Sequence, residues 1–140
     1  MNDRVPRETT DRAFQSYGRC CNDEAFFEDF YNIFMSKSGE IRAMFTSTDM
    51  AEQRRLVRAG LMWLIMYARG SQGAKIDYLA RTHDRSNMDV DPAWYTVWVD
   101  ALMETLARHD PEFDRSLEMA WRETLKPGIE AMKQSYETVQ

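Results

Sequence analysis

An all-α chain of about seven helices around a single core is what this sequence predicts, and three observations predict it. Glycine and proline are scarce, at 6 and 4 among 140 residues. Apolar side chains recur at the three-to-four spacing of a helix almost throughout. No alternating strand pattern persists for more than a few residues.

In chain order, a first helix is expected from about Thr10 to Cys20, capped by Thr9, Thr10 or Asp11. The second follows Asn22-Asp23 and carries Phe27, Phe30, Tyr31 and Phe34 on one face, ending near Ser36-Lys37-Ser38-Gly39. A short helical turn, Glu40 to Met44, leads to Phe45 and a polar corner at Thr46 to Asp49. A long helix from about Met50 to Arg69 lines up Met50, Gln53, Val57, Leu61 and Leu64, and Gly70-Ser71-Gln72-Gly73 stops it. Lys75 to His83 forms a shorter helix with Ile76, Leu79 and His83 in line. After the loop Asp84 to Val90, Asp91-Pro92 supplies a cap and a first-turn proline for a helix to about His109 bearing Tyr95, Trp98, Val99, Leu102 and Leu106. Beyond the corner at Asp110-Pro111, a last helix from about Asp114 carries Leu117, Trp121, Leu125, Ile129, Met132 and Tyr136, with Pro127 inside it.

Composition narrows the function. A net charge of −5 with both signs mixed along the chain, and no basic patch interleaved with aromatics, argues against nucleic acid. The first twelve residues have no apolar core of a signal peptide, and the longest apolar run, Gly60 to Ala68, is too short for a bilayer. A cytoplasmic protein with no membrane partner is therefore expected. Cys20 and Cys21, the 2 cysteines, are adjacent and suit small buried side chains in a reducing compartment. No phosphate-binding glycine loop, zinc-ligand spacing or nucleophile elbow is present, so any chemistry depends on a cofactor.

Polar residues interrupt the apolar stripes at two places, Gln53 and His83, and each needs a partner if buried. Tyr31 adds a hydroxyl to the aromatic face of the second helix. Each also has an ordinary structural account: a hydrogen-bonded core histidine, a solvated glutamine near a helix start, a core tyrosine with its hydroxyl at the rim. His109 suits the C-terminal end of its helix and carries no role. Glu52, Arg54, Arg55 and Arg58 fit the solvent side of theirs. Trp94, Trp98 and Tyr136 could line a dimer face, though core packing accounts for them more simply.

The segments FYNIF (Phe30 to Phe34), EIRAMF (Glu40 to Phe45), EQRRLV (Glu52 to Val57), LARTH (Leu79 to His83) and VDPAWY (Val90 to Tyr95) occur in globin order. With these the chain resembles bacterial single-domain haemoglobins and the globin domain of flavohaemoglobins, from about Phe14 to Met132. The resemblance implies a globin fold as one domain over residues 1–140, with 1–9 a flexible N-terminus. It implies haem b (iron protoporphyrin IX) as cofactor, His83 as proximal ligand to the iron and Leu79 packing beneath the porphyrin. Phe45 then wedges the haem, Tyr31 and Gln53 contact the bound gas, and Val57 is the apolar distal residue. Tyr95 corresponds to a proximal tyrosine behind the ligand. The connection from Phe45 to Gln53 is shorter than in flavohaemoglobins, so Gln53 and Arg54 are alternatives for the haem-facing position, and Gly39 stands where many globins carry proline.

The function implied is reversible binding of O2, with CO and NO as further diatomic ligands, for storage, delivery or sensing. A nitric oxide dioxygenase working with a separate reductase is the alternative, since no flavin or nicotinamide domain is present. A haem-free signalling or interaction module is the third. The chain is expected as a monomer or homodimer.

Overall fold

Short polar side chains set most of the helix starts. Asp23 accepts from the Ala25 amide, Ser38 from those of Glu40 and Ile41, and Asp49 from that of Glu52. Each takes up a backbone donor that the first turn leaves unpaired. The computed structural model describes residues 5–70 and 93–138, with side chains as far as 134. Among the described residues there are six helices and no strand: α1 (Arg7–Cys20), α2 (Glu24–Ser36), α3 (Gly39–Met44), α4 (Met50–Ala68), α5 (Trp94–His109) and α6 (Arg115–Thr138). The expected helix 75–83, with Leu79 and His83, and the Asp91-Pro92 cap lie outside the described residues.

α1 departs from the expectation by starting at Arg7 without a side-chain cap. Pro6, at φ −54° and ψ 145°, presents its carbonyl to the Thr9 and Thr10 amides at 3.0 and 3.2 Å, so proline's fixed torsion does the work assigned to Thr9, Thr10 or Asp11. Thr10 is instead buried, its hydroxyl bonded to the Arg7 carbonyl at 3.1 Å. α4 ends as its sequence requires: Gly70 takes φ 92° and its amide reaches the Tyr67 carbonyl at 2.9 Å. α6 runs on through Pro127.

Packing is pairwise. α6 lies against α1 and α4, and α2 lies against α5, with the short α3 folded onto α2. The faces so buried meet in one core that includes Phe26, Phe30, Ile41, Leu61, Ile65, Leu102, Leu106 and Trp121. Trp94 and Trp98 are half-buried against this core, and the Trp98 ring stands edge-on to Phe30 at 5.6 Å. Both cysteines are buried, as expected of small core side chains.

Polar contacts fix α1 at both ends. At its C-terminus Arg19 clasps the buried Asp110 through Nε and Nη2, both at 2.9 Å, while the Ser16 hydroxyl donates to the same carboxylate at 2.6 Å. Nearer its start, Arg69 at the end of α4 pairs with Asp11, bonds the Thr10 hydroxyl at 3.2 Å and covers the Phe14 ring at 4.9 Å. These anchors tie α1 to the corner between α5 and α6 and to the C-terminal end of α4.

Candidate functional site

α2 turns Phe27, Phe30, Tyr31 and Phe34 inward, all buried, as the spacing requires. Tyr31 is 3% exposed. Burial pushes its hydroxyl up to about 12, while a hydrogen-bonding contact from the Gln53 side chain and the Arg54 charge oppose that rise. The phenol is therefore neutral and a donor at any ordinary pH.

The other groups arrive from α3 and α4. Phe45, the residue that ends α3, sets its ring edge-on to Tyr31 at 5.5 Å and lies 6.2 Å from Phe34. Gln53 sits one turn into α4, its amide bonded to the Asp49 carbonyl at 3.0 Å, and its half-buried side chain meets Tyr31. Val57, a further turn along, is half-buried and packs on the core. Tyr31, Phe45 and Gln53 are thus brought together, with Val57 on the Gln53 face of α4. Tyr95 is buried in the first turn of α5. Leu79 and His83 lie outside the described residues.

Arg54 needs a correction. Glu52, Arg55 and Arg58 are exposed as expected of a solvated face, but Arg54 is half-buried, its Nε enclosed without a hydrogen-bond partner. Its charge is felt at Tyr31. Of the two alternatives in the sequence, Gln53 bonds the phenol, while Arg54 acts on it through its charge. The signal was the short connection after Phe45, which leaves the register of α4 over α2 open by one residue.

The donor set can be matched against the haem that the sequence resemblance implies. A neutral phenol, a carboxamide and a guanidinium whose Nε has no partner among the described residues offer hydrogen-bond donors to a small ligand, and Phe45 with Val57 offers apolar surface to a porphyrin. These residues fit that group. Among the described residues no cluster of histidine, cysteine and acidic side chains could hold a metal ion, and no helix is long and apolar enough to cross a membrane.

Helices packed in pairs, with polar groups of the fourth lying over an aromatic face of the second, describe the architecture of globins. The globin family model matches residues 27–132, and the chain belongs to the globin family. It is also similar to the crystal structure of a Pseudomonas aeruginosa PAO1 protein described as structurally highly homologous to a human haemoglobin. The two superpose with a TM-score of 0.88 at 44% identity, over 91% of this chain and 98% of that one. Comparison with curated proteins gives no match.

Proposed function

We propose that this chain is a haem-binding globin that reversibly binds O2, with His83 as the iron ligand and Tyr31 and Gln53 as distal donors. The observation that carries the reading is the meeting of a buried, un-ionised Tyr31 with Gln53, the Phe45 ring standing edge-on to Tyr31. A core without a ligand would favour apolar groups at those positions. Membership of the globin family and the likeness to a haemoglobin-like structure support it.

Haem, held by these residues, would supply an iron able to take a diatomic ligand. The chain's own groups do the rest. The His83 imidazole would hold the metal through one nitrogen, its other N–H fixed by a carbonyl that sets the tautomer. Leu79 and Tyr95 would pack on that side. Phe45 and Val57 exclude water, and the Tyr31 hydroxyl and Gln53 amide donate to a polar ligand more strongly in a dry site than they could in water. Slow release of oxygen is the consequence.

The test is haem content. The purified chain should carry about one haem, and His83→Ala should lose stoichiometric haem while keeping its helical content. Full, normally ligated haem in His83→Ala would rule out the proximal assignment. Sustained nitric oxide consumption with an added reductase would move the reading to a dioxygenase, whereas stoichiometric consumption would keep it a binding protein.

A further inference from the structure

The chain carries a net charge of −5, so two copies repel over most approaches and a patch of balanced charge favours their meeting. An open groove between the start of α1 and the first turns of α6 is such a patch. Its charged lining is two acidic residues, Glu8 and Glu123, and two basic ones, Arg12 and Arg115. Arg12 is anchored: it donates to the Ser116 hydroxyl at 2.6 Å and stands 4.0 Å from Asp114, which fixes one wall of the groove. Glu8, Arg115 and Glu123 make no ion pair among the described residues. Other charges of α6 are paired within the chain, Arg122 with Glu118 and Asp100 at 3.0 Å each and Lys133 with Glu130 at 3.9 Å. Between the unpaired Arg115 and Glu123 stands Met119, 53% exposed.

The order of these three residues has a symmetry of its own. Arg115, Met119 and Glu123 follow at i, i+4 and i+8 on α6. The two charges lie about 6 Å of helix rise on either side of Met119. At about 100° per residue each is also turned about 40° away from it, in opposite senses. A two-fold axis along the outward direction of Met119 reverses both displacements at once. It sets Arg115 of one copy over Glu123 of the other, and the converse, with the two Met119 side chains meeting at the axis. A lone exposed methionine is ordinary on a surface, and exposed ion pairs contribute little energy. Charge order of this kind decides which partner fits. An unrelated protein would have to carry the matching order by chance, whereas a second copy supplies it by symmetry.

We propose that the groove between α1 and α6 is the interface of a symmetric homodimer, in which the two α6 helices run antiparallel and cross at Met119. Arg115 pairs with Glu123 of the second copy, twice over. The interface lies apart from the Tyr31 site and forms with or without haem.

Sedimentation velocity of the purified full chain, from about 1 μM to about 1 mM, measures the dimer. The wild type should pass from monomer to dimer within that range. Arg115→Glu and Glu123→Arg each oppose like charges at both contacts, and each should raise the dimer dissociation constant about tenfold or more at unchanged helical content. Met119→Asp, which brings two carboxylates to the axis, should do the same. The double variant Arg115→Glu/Glu123→Arg restores the order in reverse and should return to within about threefold of the wild type. An equimolar mixture of the two single variants should likewise form the mixed dimer. A wild type that stays monomeric throughout overturns the proposal and leaves the groove to solvent or to a different protein. A dimer that the single charge variants leave unchanged overturns it too, and so does a double variant no better than the single ones.

Discussion

Replacing Asp110 with alanine removes the group that ties α1 to the corner between α5 and α6. Asp110 is 3% exposed and its carboxylate accepts from the Ser16 hydroxyl at 2.6 Å, from Arg19 Nε and Nη2 at 2.9 Å each, and from the Glu112 amide at 2.9 Å. Burial works to raise its pKa, but Arg19, Ser16 and the Glu112 amide together hold it below the ordinary carboxylate range. Alanine leaves the fully buried Ser16 hydroxyl unpaired, which costs about 1–3 kcal/mol. The Arg19 side chain is 27% exposed and can turn to water, so its share is discounted to about 1 kcal/mol. The total, about 3 kcal/mol, corresponds to roughly 10 °C in melting temperature for a domain of this size. Because the folded pKa lies below the unfolded one, the carboxylate's contribution is present above about pH 4 and is lost as pH falls through the folded value. Thermal unfolding followed by far-UV circular dichroism should therefore show the full deficit near neutrality and a narrower one in acid. A shift below about 2 °C near neutrality, or a deficit that does not narrow in acid, refutes the reasoning.

Other perturbations probe the site and the frame. Tyr31→Phe removes a neutral donor, so stopped-flow oxygen dissociation should quicken roughly two- to tenfold while carbon monoxide binding changes little. An unaltered oxygen off-rate would exclude Tyr31 as a ligand contact. Gly70→Ala places a side chain at φ 92° and should lower stability by about 1–2 kcal/mol in a denaturant titration, where no change would mean the helix end adapts freely. Cys20 and Cys21 are only 5% and 1% exposed, and a hydrogen bond with Cys20, then burial, pushes the Cys21 thiol pKa up. Iodoacetamide should leave both unmodified in the folded protein and label both in denaturant, and rapid labelling of the native chain would contradict their placement.

Much of the frame could be read from the sequence because it rests on local rules. The phenylalanine spacing of α2, the caps Asp23 and Asp49 and the stop at Gly70 each follow from chemistry within a few residues. The start of α1 is not legible in the sequence, because several candidate caps lie close together and the chain uses the torsion of Pro6 instead. The Asp110 anchor could not be read at all, since Ser16 and Arg19 meet it across more than ninety positions, with separations of 94 and 91. At the site, Tyr31, Phe45 and Gln53 stood out as polar or aromatic groups in the right order. Arg54 stood only as the alternative to Gln53, because a run of charges on a helix ordinarily faces water and only the packing of α4 over α2 decides how far each of the two neighbours turns in.

The central claim is tested most directly by the absorption spectrum of the purified chain, taken oxidised, then reduced with dithionite, then exposed to carbon monoxide and to air. The account predicts a Soret band at about one haem per chain that shifts on reduction and again with each gas. No haem band, even after hemin is added, would contradict it.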